Sequence, residues 1–255
     1  MNVEVTGVTR RFGRTQAVAG VDLEAGPGVL GLLGPNGAGK TSLLRMLATV
    51  IPPSSGTLRL LGRDPRGYAR RKEIRRRLGY LPQNLGYYPG FTVAEFVEYF
   101  ALLKEMPSAQ VPAAVAAAVE RTGLGDQARA KLRTLSGGML RRAGIAQAIV
   151  NDPDLLLLDE PTAGLDPEQR VAFRALLRDL GERATVIVST HLVEDVGAAC
   201  GQVALMDAGR IVFHGTPAEL TARRVGAVGA AGDAPLERGY SAVLAAARAG
   251  AGARS

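Results

Sequence analysis

One short glycine-rich stretch near the start of the chain has the residue types and spacing of a phosphate-binding loop. It follows the pattern G-x-x-x-x-G-K-[ST] and consists of Gly34, Pro35, Asn36, Gly37, Ala38, Gly39, Lys40, Thr41 and Ser42. The apolar residues 28–33 before it predict a buried strand, and residues 42–49 after it have the apolar spacing of a helix. Glycines let the backbone bend, so that several N–H groups converge on phosphates at the positive end of that helix.

Two side chains of this loop have a defined chemistry in such a site. Lys40 can reach the β- and γ-phosphates, and the hydroxyl of Thr41 is placed to ligate Mg²⁺. A glycine turn before an ordinary helix is the plainer alternative, but it does not explain all the fixed positions and both flanks together. The sequence therefore predicts that the protein binds a nucleoside triphosphate.

Two adjacent carboxylates follow the four leucines at residues 155–158. A buried parallel strand explains the leucines, but it does not explain Asp159 and Glu160 at its end. Open α/β sheets bind ligands at the carboxyl ends of their strands. One of the two acids can therefore hold Mg²⁺, and the next can orient the attacking water.

His191 stands just past a second buried stretch, residues 184–190. Taken alone, a histidine at a strand end is more often a local hydrogen-bonding group than a catalytic one. The same predicted edge of the sheet carries Lys40 and Glu160, which favours a role in the reaction. His214 is interpreted as an ordinary strand-end residue.

The remaining pattern predicts an α/β fold in which two sheets position these groups. Three stretches that alternate apolar and polar residues predict a small antiparallel sheet beside the nucleotide core: residues 2–8, 17–23 and 56–62. Residues 78–83 predict a core strand that ends in Gln83. Helix-forming residues fill most of 92–150, which begins with Thr92 and Glu95 in the spacing of a capping box. The sequence therefore predicts a helical insertion between strands of the core.

Two features leave alternatives open. Phe12 lies in a polar turn predicted at residues 10–14, where it could stack on a base or anchor the core. The basic run at residues 68–77 is most simply a helix face in water, and a contact to lipid headgroups or an acidic partner is the alternative. Nucleic-acid binding is poorly supported, because no aromatic interleaving accompanies the run.

Composition narrows the class of protein. Of the 255 residues 47% are hydrophobic, enough for a sizeable core, and the net charge of +7 does not by itself choose between anionic lipid, nucleic acid and nucleotide. The single cysteine, Cys200, excludes an internal disulfide and a cysteine metal cluster. No run approaches the roughly 18 apolar residues that span a bilayer, and the first residues lack the layout of a signal peptide. We therefore expect a reducing, cytoplasmic compartment.

The end of the chain has a different composition from the rest. Residues 223–255 are rich in alanine and glycine, with one weak helical stretch at 241–249. We expect a poorly ordered appendage there.

Over about residues 1–222, the chain resembles the ATP-binding subunit of an ATP-binding-cassette (ABC) transporter. The family's motifs occur in its order: Phe12 at the adenine-stacking position, the Walker A loop at 34–42, Gln83 of the Q-loop, the signature residues Leu135, Ser136, Gly137 and Gly138, Asp159 and Glu160 of Walker B, the D-loop at 163–166 with Asp166, and the switch histidine His191. The resemblance implies a P-loop NTPase with a RecA-like parallel sheet core, an antiparallel β-subdomain and an inserted helical subdomain at about 92–150. It also implies ATP and Mg²⁺ as cofactors.

In that family two cassettes pair head to tail, and each ATP lies between one Walker A loop and the opposite signature. The resemblance implies that Ser136, Gly137 and Gly138 form a second phosphate cradle and that Asp166 lies in the nucleotide-binding region. Glu160 would act as the base and His191 would contact the γ-phosphate, while Thr41, Gln83 and Asp159 would surround Mg²⁺. One departure is Met139, where glutamine is usual. Degenerate signatures can mark an asymmetric pair with one impaired site.

The resemblance implies an ATPase on the inner face of the cell membrane, with separately encoded permease subunits, a second cassette and no nucleic acid as partners. Export is favoured over import, because many sugar-importer ATPases carry a further regulatory domain and only residues 223–255 follow the cassette here. Residues 82–93 also look like single-cassette exporters of drugs, lipids or polysaccharides.

Two alternatives differ in class. One is a soluble cassette ATPase acting on ribosomes or DNA, although the fused second cassette or long coiled coil of such proteins is not seen in the sequence. The other is a regulatory module that no longer hydrolyses ATP, against which the intact Lys40, Asp159, Glu160 and His191 argue.

Overall fold

The helices and strands form two sheets of different kinds with helices around them. The computed structural model describes residues 1–223 and 234–252. In chain order the strands are β1 (Val3–Phe12), β2 (Thr15–Ala25), β3 (Gly28–Leu33), β4 (Ser55–Leu60), β5 (Leu78–Leu81), β6 (Leu155–Asp159), β7 (Thr185–Thr190), β8 (Gln202–Asp207) and β9 (Arg210–Gly215). The α-helices are α1 (Lys40–Leu47), α2 (Tyr68–Arg76), α3 (Val93–Leu103), α4 (Val111–Arg121), α5 (Gly137–Ile149), α6 (Pro167–Gly181), α7 (Val193–Ala199), α8 (Pro217–Ala222) and α9 (Pro235–Gly252).

The larger sheet has the order β5-β6-β7-β3-β8-β9 within the described residues. Its first five strands run parallel, and β9 returns antiparallel to β8. Every residue of β6 and β7 is buried, as expected for parallel strands covered by helices on both faces. Because parallel strands end at the same edge, this edge receives residues 34–42, Gln83, Glu160 and His191.

The smaller sheet has the order β2-β1-β4 and is antiparallel, as predicted. The polar turn predicted at residues 10–14 is wrong in extent. The strand pairing continues to Phe12 opposite Thr15, so that only Gly13 and Arg14 form the turn. Gly13 has a φ of 57°, a left-handed conformation that glycine adopts without steric cost, and this allows so tight a reversal.

The helices α3, α4 and α5 follow β5 and share one apolar core. The capping box predicted at the start of α3 is present: the side chain of Thr92 accepts from the Glu95 N–H, and Glu95 accepts from the Thr92 N–H. Phe96 of α3 is buried among apolar side chains of α4 and α5. Helix α5 also packs against β5, so it connects this helical region to the parallel sheet.

The predicted poorly ordered tail is wrong for the last described segment. Helix α9 packs against α7, α8 and the β8–β9 hairpin. Its apolar residues recur on one helical face, where Leu236, Tyr240, Val243 and Leu244 join the main core. Small alanine and glycine residues occur on all sides of this helix and conceal the pattern in the sequence. The rest of the predicted tail, residues 224–233 and 253–255, lies outside the described residues.

Among the helices of residues 1–223 and 234–252, none combines the length and the hydropathy needed to cross a bilayer.

Candidate functional site

The phosphate-binding loop is held in place by close backbone contacts. Gly39 has a φ of 103°, and a Cβ on it would overlap the carbonyl oxygen of Ala17. A Cβ on Gly34 would likewise overlap the carbonyl oxygen of Met206 at the end of β8. The first N–H groups of α1 have no acceptor within the helix. A cleft of about 260 Å³ lies beside this loop, and its lining consists of Ala17, residues 36–42, Gln83 and Glu160.

Lys40 places a buried cation next to the loop. Its Nζ donates to the carbonyl oxygens of Gly34, at 2.6 Å, and Pro35, at 3.2 Å. The same atom lies 3.8 Å from Oε1 of Glu160. Burial lowers the pKa of Lys40, while the charges of Glu160 and Asp159 act in the opposite direction. The ammonium group is therefore paired mainly with neutral carbonyls, which an anion in the cleft can replace.

Asp159 provides the buried carboxylate that a divalent cation requires. Its Oδ1 accepts from the Ser189 hydroxyl at 2.6 Å and from the Thr41 hydroxyl at 3.3 Å. Its Oδ2 is buried and has no hydrogen-bond partner in the described part of the chain. A buried carboxylate oxygen without a donor is costly, and hard cations such as Mg²⁺ bind such oxygens together with hydroxyls and water. Asp159 and Thr41 thus fit a magnesium site.

Glu160 lies between a cation and a histidine. Its Oε2 is 2.9 Å from Nδ1 of His191, and its other carboxylate oxygen faces Lys40. The backbone of Glu160 has a φ of 51°, a left-handed conformation that non-glycine residues rarely adopt. Its N–H donates to the carbonyl oxygen of Ser189, at 3.2 Å, and to the Ser189 hydroxyl, at 3.1 Å. Such backbone strain is found preferentially at functional sites.

Phe12 does not lie in the cleft lining. It is 43% exposed at the end of β1, and the guanidinium carbon of Arg10 lies 4.6 Å from the centre of its ring. This exposure excludes the interpretation of Phe12 as a core anchor. Its stacking on a base stays a prediction.

The signature and D-loop residues form a second group. Among the residues that the structure describes, the cleft lining includes none of Ser136, Gly137, Gly138 and Asp166. Ser136 caps α5 by accepting from the Met139 N–H at 3.2 Å. Asp166 caps α6 by accepting from the Gln169 N–H at 2.8 Å. A Cβ on Gly138 would lie 2.9 Å from Oε1 of Gln169, so the signature packs tightly against the start of α6.

Comparison with known proteins identifies the family to which this site belongs. The sequence profile described as "ABC transporter" matches residues 18–163. The chain belongs to the ABC transporter family. This confirms the resemblance found in the sequence, and with it an ATP-binding subunit of the P-loop NTPase fold that hydrolyses ATP.

Two relatives of the cassette carry the name Nod factor export ATP-binding protein I. The protein from Ralstonia nicotianae is 38% identical over 226 residues, which cover 88% of this chain and 70% of that protein. The protein from Cupriavidus metallidurans is 40% identical over 227 residues, which cover 88% and 74%.

Solved structures of ABC cassettes have the same fold. An ATP-binding subunit of an ABC transporter superimposes with a TM-score of 0.84 at 22% identity, covering 96% of this chain and all of that one. The cbiO1 protein from Clostridium perfringens, part of the transporter complex cbiONQ, gives a TM-score of 0.76 at 28% identity, covering 87% and 90%.

Sequence reasoning missed three buried polar residues that surround the Walker B end of the cassette: Arg141, Ser189 and Asp195. Ser189 binds Asp159 and Glu160 from the neighbouring strand β7. Arg141 reaches the same segment from α5. The only available signal was an arginine on a helix whose buried residues are otherwise mostly small or apolar. Nothing in the sequence indicated the partner of Ser189, because strand order is not local information.

Most of the basic run forms helix α2, and three of its six cations have ion pairs within the described part of the cassette. Lys72 lies 2.6 Å from Glu105, which also pairs with Arg76. Arg77 lies 2.7 Å from Asp154. These ion pairs account for much of the run without an external partner and favour a solvated helix face.

Asp195 connects three elements of the cassette beneath this site. Its carboxylate accepts from the Thr162 hydroxyl at 3.0 Å and from Nη2 of Arg174 at 2.9 Å. Replacing Asp195 with alanine is expected to lower the free energy of unfolding by about 2–3 kcal/mol, because it leaves two largely buried donors without an acceptor. Urea unfolding followed by circular dichroism measures this loss.

The matched control for this prediction is Asp179→Ala. Asp179 also pairs with an arginine, Arg121, but its side chain is 60% exposed. Its removal should cost less than about 1 kcal/mol. Equal losses in the two variants would contradict a structural role for the Asp195 network.

Proposed function

We propose that this ABC cassette powers the export of a solute through a separately encoded permease, by binding and hydrolysing Mg²⁺-ATP in a head-to-tail dimer. The observation that carries the proposal is the contact of Lys40, Glu160 and His191 at one edge of the sheet, beside an Asp159 oxygen without a partner. The export direction is supported by the relatives named for Nod factor export.

The cleft supports a specific arrangement of the nucleotide. The N–H groups of residues 36–42 and the ammonium of Lys40 would bind the β- and γ-phosphates. The unpartnered oxygen of Asp159 and the hydroxyl of Thr41 would hold Mg²⁺, with Gln83 at the same cleft. Bound Mg²⁺ would neutralise charge on the phosphates.

Glu160 would then orient and deprotonate the attacking water. Its carboxylate faces Lys40, and a γ-phosphate bound by Lys40 would take over that contact. Glu160 would keep its contact with His191, and the half-exposed ring of His191 would contact the γ-phosphate. In this arrangement the proton of the water passes to a carboxylate of Glu160.

The signature supports the second half of the proposal, the head-to-tail dimer. A Cβ on Gly137 would meet nothing within 4 Å in the described part of the chain. No contact among the described residues therefore accounts for a glycine at this position. We attribute it to the phosphates of an ATP held by a second cassette, which would also approach Ser136 and the N-terminus of α5.

Met139 does not impair this second cradle in our proposal. Its backbone N–H makes the bond to Ser136, and its side chain packs against the apolar core. The usual glutamine is therefore not needed for the cap. We propose two competent ATP sites in a homodimer of this chain.

An exposed aromatic surface supports a permease partner. Tyr88, Phe91 and Tyr99 contact one another, with ring centroids 5.1 to 6.3 Å apart. Tyr88 is 61% exposed, and the exposed Leu102 and Leu103 lie further along α3. Exposed apolar clusters of this kind mark contacts with other proteins. Because this surface follows Gln83 in the chain, a permease bound there would be linked to the nucleotide cleft.

Purification from membranes tests the proposed function. The tagged wild-type cassette, extracted from native membranes with a mild detergent, is expected to bring a stoichiometric polytopic membrane protein with it. Tyr99→Asp should lose that protein and keep its ATPase activity, because a charge in the aromatic surface opposes burial. Co-purification followed by mass spectrometry measures both.

Val50→Asp is the control, since Val50 is an exposed apolar residue just after α1, outside the aromatic surface. It should retain the membrane partner. Recovery of ribosomal or chromosomal proteins in place of a membrane protein would contradict the transporter function and favour a soluble cassette ATPase.

A further inference from the structure

Arg141 is a buried cation that binds backbone carbonyls. It lies on α5, its exposed fraction is 7%, and the rest of that face of the helix is small or apolar. Burial lowers the pKa of Arg141, and the nearby carboxylates of Asp159 and Glu160 oppose this effect. A buried charge of this kind must be compensated by good hydrogen bonds.

The guanidinium of Arg141 meets carbonyl oxygens from two separate segments. Its Nη1 donates to Pro82 at 2.9 Å and to Gln83 at 3.1 Å. Its Nη2 donates to Glu160 at 2.7 Å and also to Asp159. The five N–H donors of an arginine form a fixed planar fork, whereas a lysine has three donors at one point. A lysine at this position therefore cannot make all of these hydrogen bonds at once.

With these bonds, both the N–H and the carbonyl oxygen of Glu160 are held by other elements. Ser189 binds the N–H of Glu160 from β7, and Arg141 binds its carbonyl oxygen from α5. A left-handed conformation at a non-glycine residue persists only where the surroundings over-determine it. Arg141 supplies one of the two sides of that constraint.

We propose that Arg141 is a positioning residue for ATP hydrolysis, which holds Glu160 and Gln83 in register with the signature helix. Ser136 of the signature caps the helix that carries Arg141. This helix and Arg141 therefore link the signature to the segments that contain Gln83 and Glu160. Arg141 acts on the geometry of the chemical step and leaves the phosphate-binding loop, which it does not contact, unchanged. The inference rests on the proposed role of Glu160 as base.

The test is a comparison of turnover and affinity in purified full-length protein. Arg141→Lys is expected to lower kcat by at least about tenfold, since a misplacement of about 1 Å can cost a hundredfold. The dissociation constant of a fluorescent ATP analogue should change by less than about twofold, because the groups that bind the nucleotide in its ground state are unchanged. Arg142→Lys is the matched control: Arg142 also donates to carbonyls, those of Thr122 and Gly123, but on the side of α4. It should keep the wild-type kcat.

A second measurement covers the possibility that Arg141→Lys folds poorly. In Arg141→Ala, guanidinium at concentrations too low to unfold the protein should raise kcat and leave the wild type unaffected. Wild-type kcat in Arg141→Lys would overturn the inference. So would a weaker affinity at unchanged kcat, or a failure of guanidinium to raise kcat in a folded Arg141→Ala.

Glu160→Gln, assayed in parallel, separates this inference from the proposed function. If Glu160→Gln is inactive and Arg141→Lys is normal, only the positioning role fails. If Glu160→Gln keeps the wild-type turnover, the assignment of the base fails and the inference falls with it.

Discussion

Glu160→Gln is expected to lower the turnover number of ATP hydrolysis by about a hundredfold to ten-thousandfold, the range for loss of a general base. An amide has nearly the same shape as the carboxylate, so it can stay beside His191 and Lys40, but it cannot accept the proton of the attacking water. Binding of ATP should be preserved. A steady-state phosphate-release assay measures turnover.

The same variant should accumulate an ATP-bound dimer, because binding continues while hydrolysis stops. Size-exclusion chromatography with light scattering, with and without Mg²⁺-ATP, detects this change in mass. The control is Glu182→Gln, an exposed glutamate after α6, which should behave as the wild type. Wild-type turnover in Glu160→Gln would remove Glu160 from the role of base.

Lys40→Met is expected to weaken ATP binding and to lower hydrolysis by at least about a hundredfold, the usual effect of removing one preorganised group that stabilises a charged transition state. Methionine keeps the apolar stem of the side chain in its buried position. It removes the cation, so that Asp159 and Glu160 would repel the phosphates without compensation. Titration with a fluorescent ATP analogue measures affinity.

Lys131→Met provides the comparison for Lys40→Met, because Lys131 is an exposed lysine outside the cleft lining. It should bind ATP normally. An unchanged affinity in Lys40→Met, with normal hydrolysis, would contradict the assignment of the cleft as the phosphate site.

The sequence predicted those parts of the site whose signal is local. The glycine spacing around Lys40 predicts the loop, and the four leucines predict the buried strand β6 that leads to Asp159 and Glu160. The parallel sheet then brings these segments to one edge, as predicted. The family and the fold class were confirmed, whereas the individual roles of the site residues stay predictions.

The parts that could not be predicted depend on contacts between distant segments. The bond from Ser189 to Asp159 exists because β7 lies beside β6, and that order is fixed by packing of the whole sheet. The carbonyls bound by Arg141 come from two segments, one before and one after it in the chain. Only a weak helical stretch at 241–249 was predicted where α9 lies, and its packing was missed, because glycine and alanine lie among its larger apolar residues. An amphipathic helix is recognised from the sequence only where its two faces differ clearly in hydrophobicity.

The left-handed backbone of Glu160 implies an opposition between stability and activity at this residue. Such a conformation costs about 1–3 kcal/mol in every folded molecule, whether or not ATP is bound. A folded domain has a net stability of only about 5–15 kcal/mol, so this is a substantial share. The carboxylate is thus held beside Lys40 and His191 at the expense of thermal tolerance. Substitutions that stabilise the cassette through this segment would be expected to act against hydrolysis.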